Sequence, residues 1–231
     1  MAHSNLIDVK DLYKVFRTEE VETFAVNNVS FSVVAGEYIA ISGPSGGGKS
    51  TILSILGLLD HSTSGTYLFK GNDVNALNKD QLCELRNKEI GFIFQSFNLI
   101  ENLSVLENVM LPLIYRKGIS KKDVEKLAIE SLDKVKMSHR TKHYPTQLSG
   151  GQQQRVAVAR AMITKPSIIF ADEPTGNLDS KSAEVVMGLI KEQHKSGATV
   201  CIVTHDPRYT IDATRTINFA DGSIVQSLDE I

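Results

Sequence analysis

Apolar residues follow two different rhythms along the chain, and the change of rhythm marks its organisation. From Leu6 to about Phe69 the runs are short and β-like: Leu6–Val9, the alternating Val29–Val33, and the apolar Tyr38–Ser42 just before a cluster of glycines. The last predicts a buried strand. Ser50–Leu59 then predicts a helix, and Thr66–Phe69 with Lys70-Gly71-Asn72 a strand and turn. In the middle the spacing turns helical. Ser104-Val105-Leu106-Glu107 has the form of a capping box, and Ser120-Lys121-Lys122-Asp123 opens a longer helix. On that helix Val124, Leu127, Ala128, Ser131, Leu132 and Val135 share one face, so the helix is half-buried. A helical insertion is predicted from about Ser96 to Ile163. Beyond it come strands at Ser167–Ala171 and Thr199–Thr204, a helix over Ser180–Lys195 ended by Gly197, and a hairpin turned by Asp221-Gly222. Strands alternating with helices predict an α/β fold with a mostly parallel sheet.

Composition narrows the function without naming it. The 231 residues are 42% hydrophobic and 23% charged, which excludes disorder, collagen and coiled coil. Lys and Arg number 25 against 27 Asp and Glu, a net charge of -2, so no overall field draws the chain to nucleic acid or anionic lipid. Cys83 and Cys201 sit in no metal or redox spacing and read as structural thiols in a reducing compartment. No apolar run approaches the ~18–20 residues needed to cross a bilayer, and Met1-Ala2-His3-Ser4-Asn5 has no signal-peptide form. A cytoplasmic location is expected, with any place at a membrane supplied by a partner.

The chemistry begins at Gly43-Pro44-Ser45-Gly46-Gly47-Gly48-Lys49-Ser50-Thr51, between a predicted strand and a predicted helix. Glycines let successive N–H groups face one concavity and the helix N-terminus adds positive charge. Lys49 neutralises terminal phosphates, and the Ser50 hydroxyl is a ligand for Mg²⁺. Farther on, Ile168–Ala171 ends in Asp172-Glu173, the position at which α/β sheets present ligand chemistry. Asp172 suits a metal, directly or through water, and Glu173 suits orienting or deprotonating a water aimed at a γ-phosphate. Both also suit a simple capped turn before Pro174-Thr175-Gly176.

Leu148-Ser149-Gly150-Gly151-Gln152, followed by a helix-like segment to Ile163, resembles the signature of ATP-binding-cassette ATPases. Its physical content is a second anion site, a hydroxyl and free N–H groups at a helix N-terminus; alone it is also a helix cap. The resemblance runs from about Leu6 to Val225. It implies a P-loop NTPase core with an N-terminal antiparallel β subdomain and an inserted α-helical subdomain, all in one nucleotide-binding domain. Residues 1–95 would hold the β subdomain and the first part of the core, 96–163 the helical subdomain, and 164–231 the rest.

The same resemblance assigns further residues. Gln95 looks like the glutamine that links metal and water to the helical subdomain, making Ser50, Gln95 and Asp172 the metal set. His205 looks like the histidine that contacts the γ-phosphate. Asp179 looks like the acid facing a second copy, and is equally a helix N-cap. Phe16 takes the place of an aromatic that stacks on adenine; Phe16 and its neighbour Tyr13 also suit packing. Gly47 departs from the family pattern, where serine is more usual. The implied activity is hydrolysis of Mg-ATP by two copies closing head to tail, each ATP between the phosphate loop of one and Ser149 of the other.

The stretches Gly57-Leu58-Leu59-Asp60, Phe94–Leu99 and Ala171–Asp179 are similar to the lipoprotein-release, macrolide-efflux and antimicrobial-peptide-resistance subfamily. That implies a separate membrane permease as partner, no nucleic acid, and a peripheral place on the inner face of the membrane. Leu99–Tyr115, with Leu103, Val105 and Leu111, reads either as the groove for that permease or as subdomain core. An ATP-switched regulatory module that transports nothing needs the same ATP site. A phosphoryl-transfer enzyme would need an acceptor pocket that no motif supplies.

Overall fold

The computed structural model describes residues 5–18, 21–114, 116 and 118–227; Tyr115 and the first four residues therefore lie outside the described residues. In chain order the elements are β1 (Asn5–Arg17), β2 (Glu22–Val34), β3 (Tyr38–Ser42), α1 (Lys49–Leu56), β4 (Ser64–Phe69), β5 (Asn72–Asp73), α2 (Lys79–Glu89), β6 (Ile90–Phe94), α3 (Val105–Ile114), α4 (Lys121–Lys134), α5 (Gly150–Met162), β7 (Ile168–Asp172), α6 (Ser180–Lys195), β8 (Thr199–Val203), α7 (Pro207–Thr210), β9 (Arg215–Ala220) and β10 (Ser223–Val225). They pack as two compact units, Met1–Arg86 with Thr199–Ile231, and Asn87–Ala198.

In the first unit β1 and β2 form a long antiparallel hairpin, extended by β4 and β5 into a sheet of order β2-β1-β4-β5. Each of these two strands is 13 residues long, well beyond the short runs that periodicity picks out. Register shifts between Val9 and Leu12, and again between Leu12 and Lys14, break the alternation on which a period-2 reading depends. Behind this sheet β3 lies between two parallel neighbours, β8 (Tyr38↔Val200 to Ile41↔Val203) and β9 (Ile39↔Arg215 to Ser42↔Asn218). None of Tyr38–Ile41 is more than 1% exposed, so side chains on both faces of this central strand are covered, which is why it reads as a continuous apolar run and not as an alternating one. Helix α1 stops at Leu56 instead of Leu59, because Gly57 caps it and Leu58 turns left-handed at φ 58°. Its inner face buries Ile52, Leu53, Ile55 and Leu56, and the buried Tyr67 hydroxyl donates to the Leu56 carbonyl at 2.5 Å.

In the second unit β6 and β7 pair in parallel, from Ile90↔Ile168 to Phe94↔Asp172. Helices α3, α4 and α5 pack on one another, and α5 also packs on β6 and α6. Both predicted caps form: Glu107 accepts the Ser104 N–H at 2.8 Å, and Ser120 accepts that of Asp123. The core-facing Ser131 is satisfied by donating to the Ala159 carbonyl at 2.8 Å, which joins α4 to α5. Val105 is fully buried and its N–H bonds the His143 carbonyl at 2.8 Å, so it belongs to the subdomain core and not to an exposed groove. Among the described residues of this stretch, the exposed large apolar side chains are Ile100 and Ile114.

Helix α2 buries no residue, which is why no apolar stripe announces it in the sequence. Cys83 lies on this exposed helix, beside Arg86, and Cys201 is buried in β8. Among the described residues no helix is long and apolar enough to cross a membrane.

Candidate active site

The first unit carries the phosphate loop. β3 delivers the chain into Gly43–Gly48, and α1 begins at Lys49 with Gly48 as its left-handed N-cap at φ 94°. The glycines at the two ends are demanded by close backbone approach. A Cβ on Gly43 would lie 1.8 Å from the Phe219 carbonyl oxygen, and one on Gly48 would lie 2.2 Å from that of Ala25. Gly46, also left-handed at φ 79°, has open space where its Cβ would be. Lys49 is only 6% exposed, and its ammonium donates to the Pro44 carbonyl at 2.6 Å, which folds the charge over the concave side of the loop. A ring of backbone bends, a buried ammonium and a helix N-terminus together favour a polyanion. The backbone at Gly47 leaves φ on the ordinary side, and a Cβ there would lie 3.1 Å from the Pro44 carbonyl oxygen. A serine there would require the backbone around it to give by a few tenths of an ångström.

Two more predicted residues belong to this unit. β8 lies beside β3 in parallel, so its continuation through Thr204 puts the exposed His205 at the same sheet edge as the phosphate loop. Next to it Asp206 caps α7 and pairs with Arg208 at 2.6 Å; that hydrogen bond outweighs desolvation and lowers the Asp206 pKa. Phe16 pairs with Thr23 across the hairpin, two residues from the Ala25 carbonyl that abuts Gly48. Phe16 is 48% exposed, with the Lys14 ammonium 5.1 Å from its ring centroid. Lys14 is itself buried and held by Asp60 and the His61 carbonyl, each at 2.8 Å. Tyr13 is half-buried in β1, paired with Ser64 of β4.

The second unit carries the acidic turn. β7 ends at Asp172, and Glu173 follows in a left-handed conformation at φ 42°, costly for a residue with a side chain and typical of functional turns. The turn closes with the Gly176 N–H on the Glu173 carbonyl at 3.0 Å. Because β6 runs parallel to β7 with Phe94 opposite Asp172, Gln95 emerges beside this turn although it is distant in sequence. Its amide lies over Gly176, where a Cβ would come within 2.5 Å of Gln95 Nε2, and its carbonyl accepts from Asn177 Nδ2 at 3.1 Å. A side chain at Gly176 would displace the glutamine amide that it faces.

Ser149 caps α5 in a full capping box: its hydroxyl accepts from the Gln152 N–H, and Gln152 Oε1 accepts the Ser149 N–H at 3.0 Å. The serine is exposed at the helix N-terminus, Gly150 is half-buried against the Phe97 ring, and Gly151 is buried because a Cβ would collide with Ser182 of α6. Asp179 is the N-cap of α6. Hydrogen bonds from the Ser182 hydroxyl and N–H hold its pKa below the usual carboxylate value.

Residues 26–176 match the ABC transporter family. The chain belongs to that family. It is 45% identical over 219 residues to an uncharacterized ABC transporter ATP-binding protein of Thermotoga maritima, covering 95% of this chain and 93% of the other. It is also 46% identical to a part of the macrolide export ATP-binding/permease protein MacB of Chlorobium luteolum, but spans only 33% of that longer protein. Among solved structures, the post-hydrolysis dimer of the ATP-binding cassette MJ0796, bound to ADP and Pi, superposes with a TM-score of 0.89 at 43% identity, covering 95% of this chain and 97% of the other. The cassette described here has the P-loop NTPase fold and is an ATP-hydrolysing, ATP-binding subunit of an ABC transporter, working with Mg²⁺.

Mg²⁺ takes hard oxygen ligands, and each unit by itself offers donors of that kind: the Ser50 hydroxyl in the first turn of α1 in the first, and the Asp172 carboxylate and the Gln95 amide oxygen in the second. No motif marks the side chains that hold the cassette's loops in place. Gln154 and Arg160 lie on α5, and both donate to backbone carbonyls around Gln95. Burial pushes the Arg160 pKa down to about 10, so its charge persists at neutral pH. In the sequence they are two polar residues among several on α5, with nothing local to set them apart from the partly buried Gln152, Gln153 and Arg155.

Proposed function

We propose that two copies of this chain close head to tail on two Mg-ATP molecules and reopen after hydrolysis, driving a separate membrane permease of the kind that exports, releases lipoprotein or transmits force across the membrane. The observation that carries the proposal is the pairing, in one chain, of a phosphate loop built around a buried Lys49 with an exposed, capped Ser149 at the start of α5. The dimeric, ADP- and Pi-bound MJ0796 supports the closure, and the MacB likeness supports a permease partner of that class. The γ-phosphate favours the closed dimer because Ser149 of the second copy engages it only there, and hydrolysis removes that contact. Within each site Lys49 and the loop N–H groups bind phosphate, Glu173 acts as general base, and Gln95 and His205 orient water and γ-phosphate. Phe16 stacks on adenine.

Phe16→Ala is expected to weaken ATP binding by about 1–3 kcal/mol, and Phe16→Tyr to leave Kd within a few-fold. Titration calorimetry checks this; an unchanged Kd in Phe16→Ala would assign the ring to packing.

The permease is tested by tagging the Glu173→Gln variant, adding Mg-ATP to detergent-solubilised membranes of the native cell, and identifying what co-purifies. A stoichiometric integral membrane protein is expected. Recovery of the homodimer alone, from an extract shown to be intact, would favour an ATP-switched cytoplasmic module.

A further inference from the structure

Gln154 is fully buried, on the second turn of the helix that Ser149 opens. Its amide nitrogen donates to two carbonyls from different loops: that of Pro174 at 2.7 Å and that of Phe94 at 3.2 Å. Only the nitrogen end of the amide has two hydrogens to give, so the orientation of the group is set by its partners. The Phe94 carbonyl lies in the peptide plane that carries the Gln95 N–H, and Pro174 directly follows Glu173. One side chain therefore fixes the backbone next to both residues. The oxygen end of the same amide is buried and meets no donor among the described residues. A buried polar atom left unpaired is costly, and an apolar side chain of similar volume would avoid that cost. Packing alone does not account for a glutamine here.

The surroundings agree. Six residues along the same helix, Arg160 donates to the Phe97 carbonyl at 2.8 Å and to that of Asn98. Phe97 and Asn98 both stand in the left-handed region, at φ 61° and 47°, which non-glycine residues seldom adopt without such restraint. The next turn of the loop is held by Asn108, which both donates to and accepts from Ile100. With Asn177 on the Gln95 carbonyl, the loop is pinned from several sides, and α5 supplies two of the pins, Gln154 and Arg160.

We infer that Gln154 is a positioning residue for ATP hydrolysis: its amide ties α5 to the backbone beside Gln95 and Glu173, so that these two side chains keep one relative placement and shift together when α5 shifts. The inference rests on the roles of Glu173 and Gln95 given above. Because Ser149 begins the same helix, engagement of phosphate there is transmitted to the catalytic turn through a single rigid element.

The test uses the full chain with Gln154→Met, which keeps the volume and removes both donors, alone and combined with Glu173→Gln. Gln154→Met is expected to lower kcat by about tenfold or more, with KM for ATP within about threefold, since small misplacements of catalytic groups cost rate before binding. If Gln154 acts through Glu173, the same substitution lowers the residual rate of the Glu173→Gln variant by less than about twofold. An equal fold-loss in both backgrounds, or a wild-type kcat for Gln154→Met, would overturn the inference. Gln154→Glu supplies an independent readout: its carboxylate faces two carbonyl oxygens and donates only when protonated, so its kcat relative to wild type should rise as pH falls. A flat ratio counts against the donor role. Full turnover in Glu173→Gln would instead overturn the general-base assignment; Gln154→Met then decides the Gln95 arm by its own kcat and KM.

Discussion

Replacing Glu173 by glutamine is expected to lower kcat for ATP hydrolysis by about 10²–10⁴-fold while leaving the Kd for ATP within a few-fold. The substitution is nearly isosteric, so the left-handed turn at Glu173 and the Gly176 N–H bond to its carbonyl are kept. What is lost is the capacity to take a proton from water. Since in the proposed cycle closing the dimer needs binding and reopening needs hydrolysis, the variant should also accumulate as an ATP-bound dimer. Steady-state phosphate release and size-exclusion chromatography in Mg-ATP measure the two effects. Normal turnover would remove Glu173 from the chemistry, and slow turnover without a dimer would separate the base from the proposed cycle.

Lys49→Ala should act at the other end of the reaction and impair binding as well as rate. The Lys49 side chain is largely buried and its ammonium is held over the loop by the Pro44 carbonyl, so it is positioned for incoming phosphates without having to be ordered first. Removing a preorganised charge of this kind costs about 10²–10³-fold in rate, and here ATP affinity should fall with it. Calorimetry and turnover on the same preparation test both halves. Unchanged affinity together with unchanged turnover would refute the phosphate cradle. The contrast between the two variants is itself diagnostic: Glu173→Gln binds and stalls, whereas Lys49→Ala fails to engage.

Much of the cassette is legible in its amino-acid pattern. Elements with a strong local signal are predicted almost to the residue: β3 as Tyr38–Ser42, α6 as Ser180–Lys195, and the two caps at Ser104 and Ser120. Each combines an apolar pattern with a chemical stop or start, and such signals depend only on neighbours in sequence. The misses have equally definite causes. Periodicity underestimates the β1–β2 hairpin because bulges disturb its alternation, and it passes over α2 because that helix buries nothing. For Val105 the sequence leaves surface groove and subdomain core both open, because the packing that buries it and its partner, the His143 carbonyl, are remote in sequence.

The site divides along the same line. The sequence by itself determined which residue types are on offer for the proposed contacts with phosphate and metal, because a glycine loop with Lys49 and Ser50, a strand ending in Asp172-Glu173, and Ser149 before a helix are short-range arrangements whose chemistry needs only their spacing. Only the tertiary structure decided that Gln95 lies over Gly176, that Gly43 and Gly48 are glycines because Phe219 and Ala25 press on them, and that Gln154 and Arg160 brace the loop around Gln95. Those facts depend on the parallel pairing of β6 with β7 and on the packing of α5, contacts between segments far apart in the chain, which no local pattern encodes.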